Sequence, residues 1–263
     1  MNKVKTIVRK EWAEVFKNRM VIFTVLFLPL LMTAIPLAML SAMGSGGTIS
    51  ASSRMPAQMT EAICPPALTG GECIQLLLVN QFMMLFMLVP VAIPATIAAY
   101  SIVGEKTTRS LEPLLATPIT TLELLIGKCL AAVIPAIAAT YGAYLLFAVG
   151  AWIMVANKTL LAALLDARWL VAIFLVGPLL ATLAVTFGLM VSSRVNDPRA
   201  AEQISMVIIV PVLAGFFGQL AGVFVLDMRT ITGVAVVMFA LDALMVYMAA
   251  RVFQRESILT RWR

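Results

Sequence analysis

The chain has 263 residues, 62% of them hydrophobic and only 12% charged, with a mean hydropathy of +1.00. Soluble domains are roughly half apolar and a quarter charged, so this composition excludes an ordinary globular protein and requires several membrane spans. There is no histidine, which removes hydrolases with a His base, His-ligated zinc sites and His-dependent intramembrane proteases. No catalytic constellation survives, so the chain is not expected to be an enzyme.

From the N-terminus, Val4, Ile7, Val8, Trp12, Val15 and Phe16 recur at helical spacing, with Lys3, Lys5, Arg9, Lys10, Glu14 and Lys17 on the remaining arc. The pattern fits an amphipathic helix in the inner membrane interface, or simply a basic anchor for the first span. The apolar run that follows is longer than the core of a signal peptide, and Glu11 and Glu14 precede it, so no cleavage is expected.

Six apolar runs lie near residues 20–43, 76–102, 122–154, 169–191, 204–226 and 231–252, each long enough for the roughly 20 residues of a membrane-crossing helix. Pro90, Pro94 and Pro135 predict kinks. The expected fold is an all-α integral membrane protein: one transmembrane domain over 1–263, with six spans and an amphipathic N-terminal helix (1–19). Placing both termini inside puts 15 of the 19 Lys and Arg on that side, in line with the positive-inside rule. The net charge of +6 is thus a topology signal, and nucleic acid is not an expected partner; the lipid bilayer is.

The first outer loop, 43–75, is too small for a packed domain. It carries Cys64 and Cys73, which an oxidising compartment would allow to pair. Cys129 reads as a small packed hydrophobe.

The charged segment 103–121 lies between the second and third spans. On a helix Glu105, Arg109 and Glu112 share one face, with Leu111, Leu114 and Leu115 opposite. Pro113 interrupts, and Thr120-x-x-Glu123 is a capping-box pattern that restarts a helix. Spacing alone leaves an ordinary solvated loop open as well as a docking element. Gly127-Lys128-Cys129 does not complete a phosphate-binding loop, so the chain is expected to bind no cofactor of its own.

In the fifth span Gly218 and Gly222 form a small-xxx-small face, suited to packing within the subunit or to a seam between subunits. In the sixth, Asp242 lies at the centre, where an ionisable group costs roughly 2.5 to 3.5 kcal/mol by insertion scales. It reads as an intramembrane polar site, or as a carboxyl bonded to a hydroxyl such as Tyr141, Thr182 or Thr186.

The run Glu105-Lys106-Thr107-Thr108-Arg109-Ser110-Leu111-Glu112-Pro113-Leu114-Leu115-Ala116-Thr117-Pro118, with Leu122-Glu123-Leu124-Leu125-Ile126-Gly127-Lys128 after it, resembles the signature of ABC-2 type transporter permeases. It is most similar to the branch that contains sodium-exporter permeases. Ser192 to Gln203 resembles the inner loop before the fifth span of that branch. Arg109 departs from the family pattern, where glycine is frequent. The resemblance implies the membrane subunit of an exporter in the cell (plasma or inner) membrane, both termini cytoplasmic. Its partners would be a separate cytosolic ATPase, which holds the ATP and Mg, and a second permease copy. It also implies that Glu105, Arg109, Leu111, Glu112, Leu114 and Leu115 meet the ATPase. A self-sufficient channel or secondary carrier is the alternative.

Overall fold

The computed structural model describes residues 2–17, 19–44, 68, 70–107, 119–223 and 226–252. Among them every regular element is helical, and six helices or helix pairs are long and apolar enough to cross a bilayer: Val21–Met43, Gly71–Glu105, Leu122–Met154, Lys158–Arg194, Pro198–Leu220 and Met228–Arg251. The N-terminal α1 (Asn2–Val15) precedes α2 (Arg19–Gly44), the first span. Cys73 is disulfide-bonded, whereas Cys64, its expected partner, lies outside the described residues.

The second span is two helices, α3 (Gly70–Phe86) and α4 (Val89–Thr107). Pro90 has no N–H to return to the carbonyl of Phe86 and its ring crowds that turn. The chain therefore crosses Met87 and Leu88 through tight i→i−3 bonds, Met87 N to Met84 O (3.2 Å) and Leu88 N to Leu85 O (2.9 Å). Beyond the break α4 is buried on every side from Val89 to Ala99, as an all-round apolar helix must be. It is the axis of the bundle.

The third span is α5 (Thr121–Met154), 34 residues and therefore about 51 Å long at 1.5 Å per residue, well beyond the roughly 30 Å hydrocarbon core. The predicted capping box forms at its start: Thr120 Oγ1 accepts from Glu123 N at 3.2 Å, and Glu123 Oε2 accepts from Thr120 N at 2.8 Å. The fourth span enters through short α6 (Lys158–Leu164) and α7 (Ala167–Val171), capped by Asn157 and Asp166. It passes through a π-helical turn, Ala172–Val176, into α8 (Gly177–Arg194). Pro178 lacks the N–H that would reach Phe174, and Tyr141 Oη donates to that carbonyl from α5 at 3.3 Å. Such rescue is what a non-aqueous solvent demands of a freed carbonyl.

Next come α9 (Pro198–Ser205), a 3-10 turn (Met206–Ile209) and α10 (Val210–Leu220), which together make the fifth span. That span ends earlier than the sequence pattern suggests. Gly222 adopts φ 72°, the left-handed conformation that closes a helix, and Val223 N returns to Gly218 O at 3.0 Å. The glycine at 222 thus marks a helix end. The close approach in this helix is at Gly215, where an added Cβ would lie 2.6 Å from Met84 Cε of α3, so it is a contact within the subunit. Finally α11 (Met228–Val252) packs on α8 through a single stripe.

The tightest helix pair is α4 on α8, where a Cβ at Gly188 would sit 2.9 Å from Ala98 Cβ and 3.6 Å from the Ala95 carbonyl oxygen. Neither atom is the end of a flexible side chain. Gly188→Val is expected to cost about 1–3 kcal/mol by overpacking, seen as a lowered Tm of the purified protein; an unchanged Tm would show that the two helices have room to part.

Candidate functional site at the ion-paired end of the bundle

Four charged side chains from three helices meet at the C-terminal end of α4. Lys128, on the second turn of α5, points into the bundle with 2% of its side chain exposed. Its Nζ lies 2.8 Å from Glu11 Oε1 of α1 and 3.0 Å from Glu105 Oε2 of α4. The same ammonium donates to Ser101 Oγ at 2.9 Å and to the Ser101 carbonyl at 3.1 Å. Ser101 Oγ in turn donates to Glu11 Oε2 at 3.0 Å. Glu105 Oε1 takes a 2.6 Å bond from Lys10, which also faces Glu14 at 3.5 Å. Two carboxylates and two ammoniums thus balance at the centre.

Burial of this kind is costly unless each ion is paired and hydrogen-bonded, and here each is. Lys10, at the partly exposed edge, shows the balance of forces. Burial alone would lower its pKa, but the hydrogen bond to Glu105 and the fields of Glu105, Glu11 and Glu14 outweigh that and hold it above its usual 10.5.

The network fixes α1 against α5 in register. Lys3 faces Glu123 at 3.8 Å, Ile7 fills the notch at Gly127, where a Cβ would come within 2.7 Å, and Glu11 meets Lys128. One turn further, Trp12 Nε1 donates to the Ala131 carbonyl at 2.9 Å. That carbonyl is the one Pro135 leaves without an i+4 donor. The apolar stripe expected on α1 exists, with Ile7 and Val15 buried, but Glu11 lies in its middle at 3% exposure. The helix is therefore docked on α5 by apolar contact, indole and ion pair together.

On its opposite flank the C-terminal end of α4 is held by α8 and α9. Ser192 Oγ donates to the Ala99 carbonyl at 2.8 Å and accepts from Val103 N at 3.1 Å, the two ends of one turn of α4. Tyr100 Oη donates to Glu202 Oε2 at 3.2 Å, and Ala99, Val103 and Ala201 form a small buried cluster. Asp197 caps α9 by accepting from Arg199 N at 3.0 Å. Both sequence segments that carried the resemblance, 105–128 and 192–203, therefore converge on the last turns of α4.

A sequence profile of the ABC-2 family transporter protein matches residues 5–251, most of the chain. The chain belongs to this family. No curated protein matches it. The sequence resemblance implied an ATPase contact on the segment between α4 and α5. Of the residues assigned to that contact, Arg109, Leu111, Glu112, Leu114 and Leu115 lie outside the described residues. Glu105 does not face outward: its side chain is 3% exposed, and its charge is met by Lys10 and Lys128. It anchors the root of the segment instead. Gly218 and Gly222 lie at the far end of α10 from this site, and Asp242 is buried in the middle of α11.

Lys10, Glu11, Trp12, Ser101, Lys128 and Ser192 were not singled out by sequence. Two of them left a signal: an acid at i+4 from Ile7 and i−4 from Val15 on the buried stripe, and a lone lysine six residues inside an apolar span.

Lys128→Met is expected to cost about 3–5 kcal/mol, because it strands Glu11 as an uncompensated buried carboxylate and leaves Glu105 with Lys10 alone. Adding Glu11→Gln should recover part of the lost Tm, and no recovery would mean that the two act independently. A folded-state pKa above the unfolded one makes the Lys10 contribution complete below about pH 10.5, and it is lost as pH rises through the higher value. Protease protection of α1 should therefore fall at alkaline pH in the wild type and show a smaller alkaline step in Lys10→Met; identical profiles would remove Lys10 from the network.

Proposed function

We propose that this chain is the membrane-spanning permease subunit of an ATP-driven exporter, powered by a separate cytosolic ATPase that meets the segment between α4 and α5. The observation that carries the reading is the ion-paired root of that segment. One stem, α4, carries Glu105 in its last turn, and the other, α5, begins at the Thr120–Glu123 capping box and carries Lys128. A push on the segment reaches both stems and α1 as one body, since none can move alone without unpairing a buried charge. Membership in the ABC-2 family supports the ATPase as the source of the push.

In this reading Arg109 and Glu112 offer charge and Leu111, Leu114 and Leu115 offer an apolar ridge to the ATPase, a mixture suited to holding register under load. ATP and Mg belong to the partner, consistent with the incomplete phosphate loop at Gly127-Lys128-Cys129. A second permease copy completes the translocation unit. The charge distribution favours both termini in the cytoplasm and residence in the plasma or inner membrane, and the sequence resemblance favours the branch with sodium-exporter permeases.

The test is co-purification. With Arg109→Ala and Glu112→Ala combined, ATPase retention and transport-coupled hydrolysis should fall about tenfold or more, the scale set by removing interfacial charges. If both remain at the wild-type level, the ATPase does not dock on this segment.

A further inference from the structure

The sixth span holds the bundle by one stripe. Ile231, Ala235, Met238, Asp242, Met245 and Ala249 recur at alternating spacings of four and three, and all are buried or half-buried. The rest of α11, including Val236, Val237, Phe239, Leu244 and Val246, is exposed. The stripe is the seam of a two-helix packing: Ile231 and Ala235 join the cluster of Ala172, Val176 and Leu180, and Ala249 joins Val185 and Leu189. Five of its six positions are apolar and the sixth is a carboxylic acid.

Asp242 is 6% exposed, and neither of its carboxyl oxygens has a hydrogen-bond partner among the described residues. The three hydroxyls that the sequence offered as its partners are engaged elsewhere. Tyr141 donates to the Phe174 carbonyl, Thr182 to Pro178 and Thr186 to Thr182 and Leu183. A carboxyl kept only to fix helix register would be expected to bond across the seam, because an orphaned acid in hydrocarbon destabilises the packing it belongs to. This one awaits a partner from outside the chain.

The chemistry around it selects that partner. A metal cation needs several oxygens, and no group of three or more His, Cys, Asp or Glu that could hold one occurs among the described residues. A single carboxylate in a stripe of Ile, Ala and Met suits a bulky organic monocation, whose charge meets the acid while its hydrocarbon replaces the seam contacts. With α11 attached along one stripe, opening it from α8 disturbs fewer contacts than parting the buried α4 from its neighbours. We propose that Asp242 is the recognition carboxylate for a lipophilic monocation, bound between α8 and α11 when that seam opens. The proposal rests on the exporter reading for its meaning as a cargo site, but binding itself needs only this chain.

The test uses the purified full chain in zwitterionic-lipid nanodiscs, with tetraphenylphosphonium as probe and tetraphenylborate, an anion of similar size and shape, as control. The wild type should bind the cation saturably, Asp242→Asn at least about tenfold more weakly and Asp242→Glu within about threefold. Binding of the borate should not distinguish the three. Asp242→Glu keeps the charge, so a loss in both variants together with a lowered Tm would assign Asp242 to packing and overturn the proposal. Equal cation binding by wild type and Asp242→Asn, or no saturable binding by the wild type, would also overturn it. Because no ATPase is present, such a failure leaves the docking of the α4–α5 segment untouched, and failed ATPase co-purification leaves the cation site untouched.

Discussion

Lys128 is a charge on an apolar helix, turned into the bundle, and this end of the protein is organised around keeping it satisfied. Its ammonium holds Glu11 from α1 and Glu105 from α4, with Ser101 filling the remaining hydrogen-bonding capacity. An ion pair of this kind adds little net stability compared with well-packed apolar groups, but breaking it is costly because a bare charge is left behind. It therefore acts as a constraint on relative position. The three helices that supply its members cannot slide past one another by small steps, as an apolar interface could.

The prolines set the second constraint, through the carbonyls they leave without donors. In hydrocarbon a freed backbone carbonyl has to find a donor within the protein. Pro135 frees Ala131, and Trp12 brings α1 to it; Pro178 frees Phe174, and Tyr141 brings α5 to it. In both places a defect inside one helix becomes an address for another. Pro90 works differently, breaking the second span outright and starting the buried α4 on a new axis.

These constraints are unevenly distributed. α4 is enclosed on every side and held at its C-terminal end by α1, α5, α8 and α9, whereas α11 adheres by one stripe and keeps most of its surface outward. Under the proposed function the asymmetry separates two tasks. The ion-paired end suits transmission of force, and the loosely attached sixth span suits opening. Glu105 illustrates the division: it lies in the segment assigned to the ATPase, yet it is spent on holding that segment's root.

Composition and periodicity by themselves determined the class of the protein and the six spans. These depend only on how much apolar length the chain offers. The capping box at Thr120 was legible too, because it is local, closing over four consecutive residues. What spacing could not decide was which charges face inward. By spacing Glu105 would share a helical face with Arg109 and Glu112, whereas its burial depends on Lys10 and Lys128, 95 positions before it and 23 after it in the sequence. Gly222 likewise resembles a packing glycine until its φ of 72° shows a helix end. The tertiary structure alone settled these roles, since the energy of a buried charge or a freed carbonyl is fixed by partners that pattern along one helix does not contain.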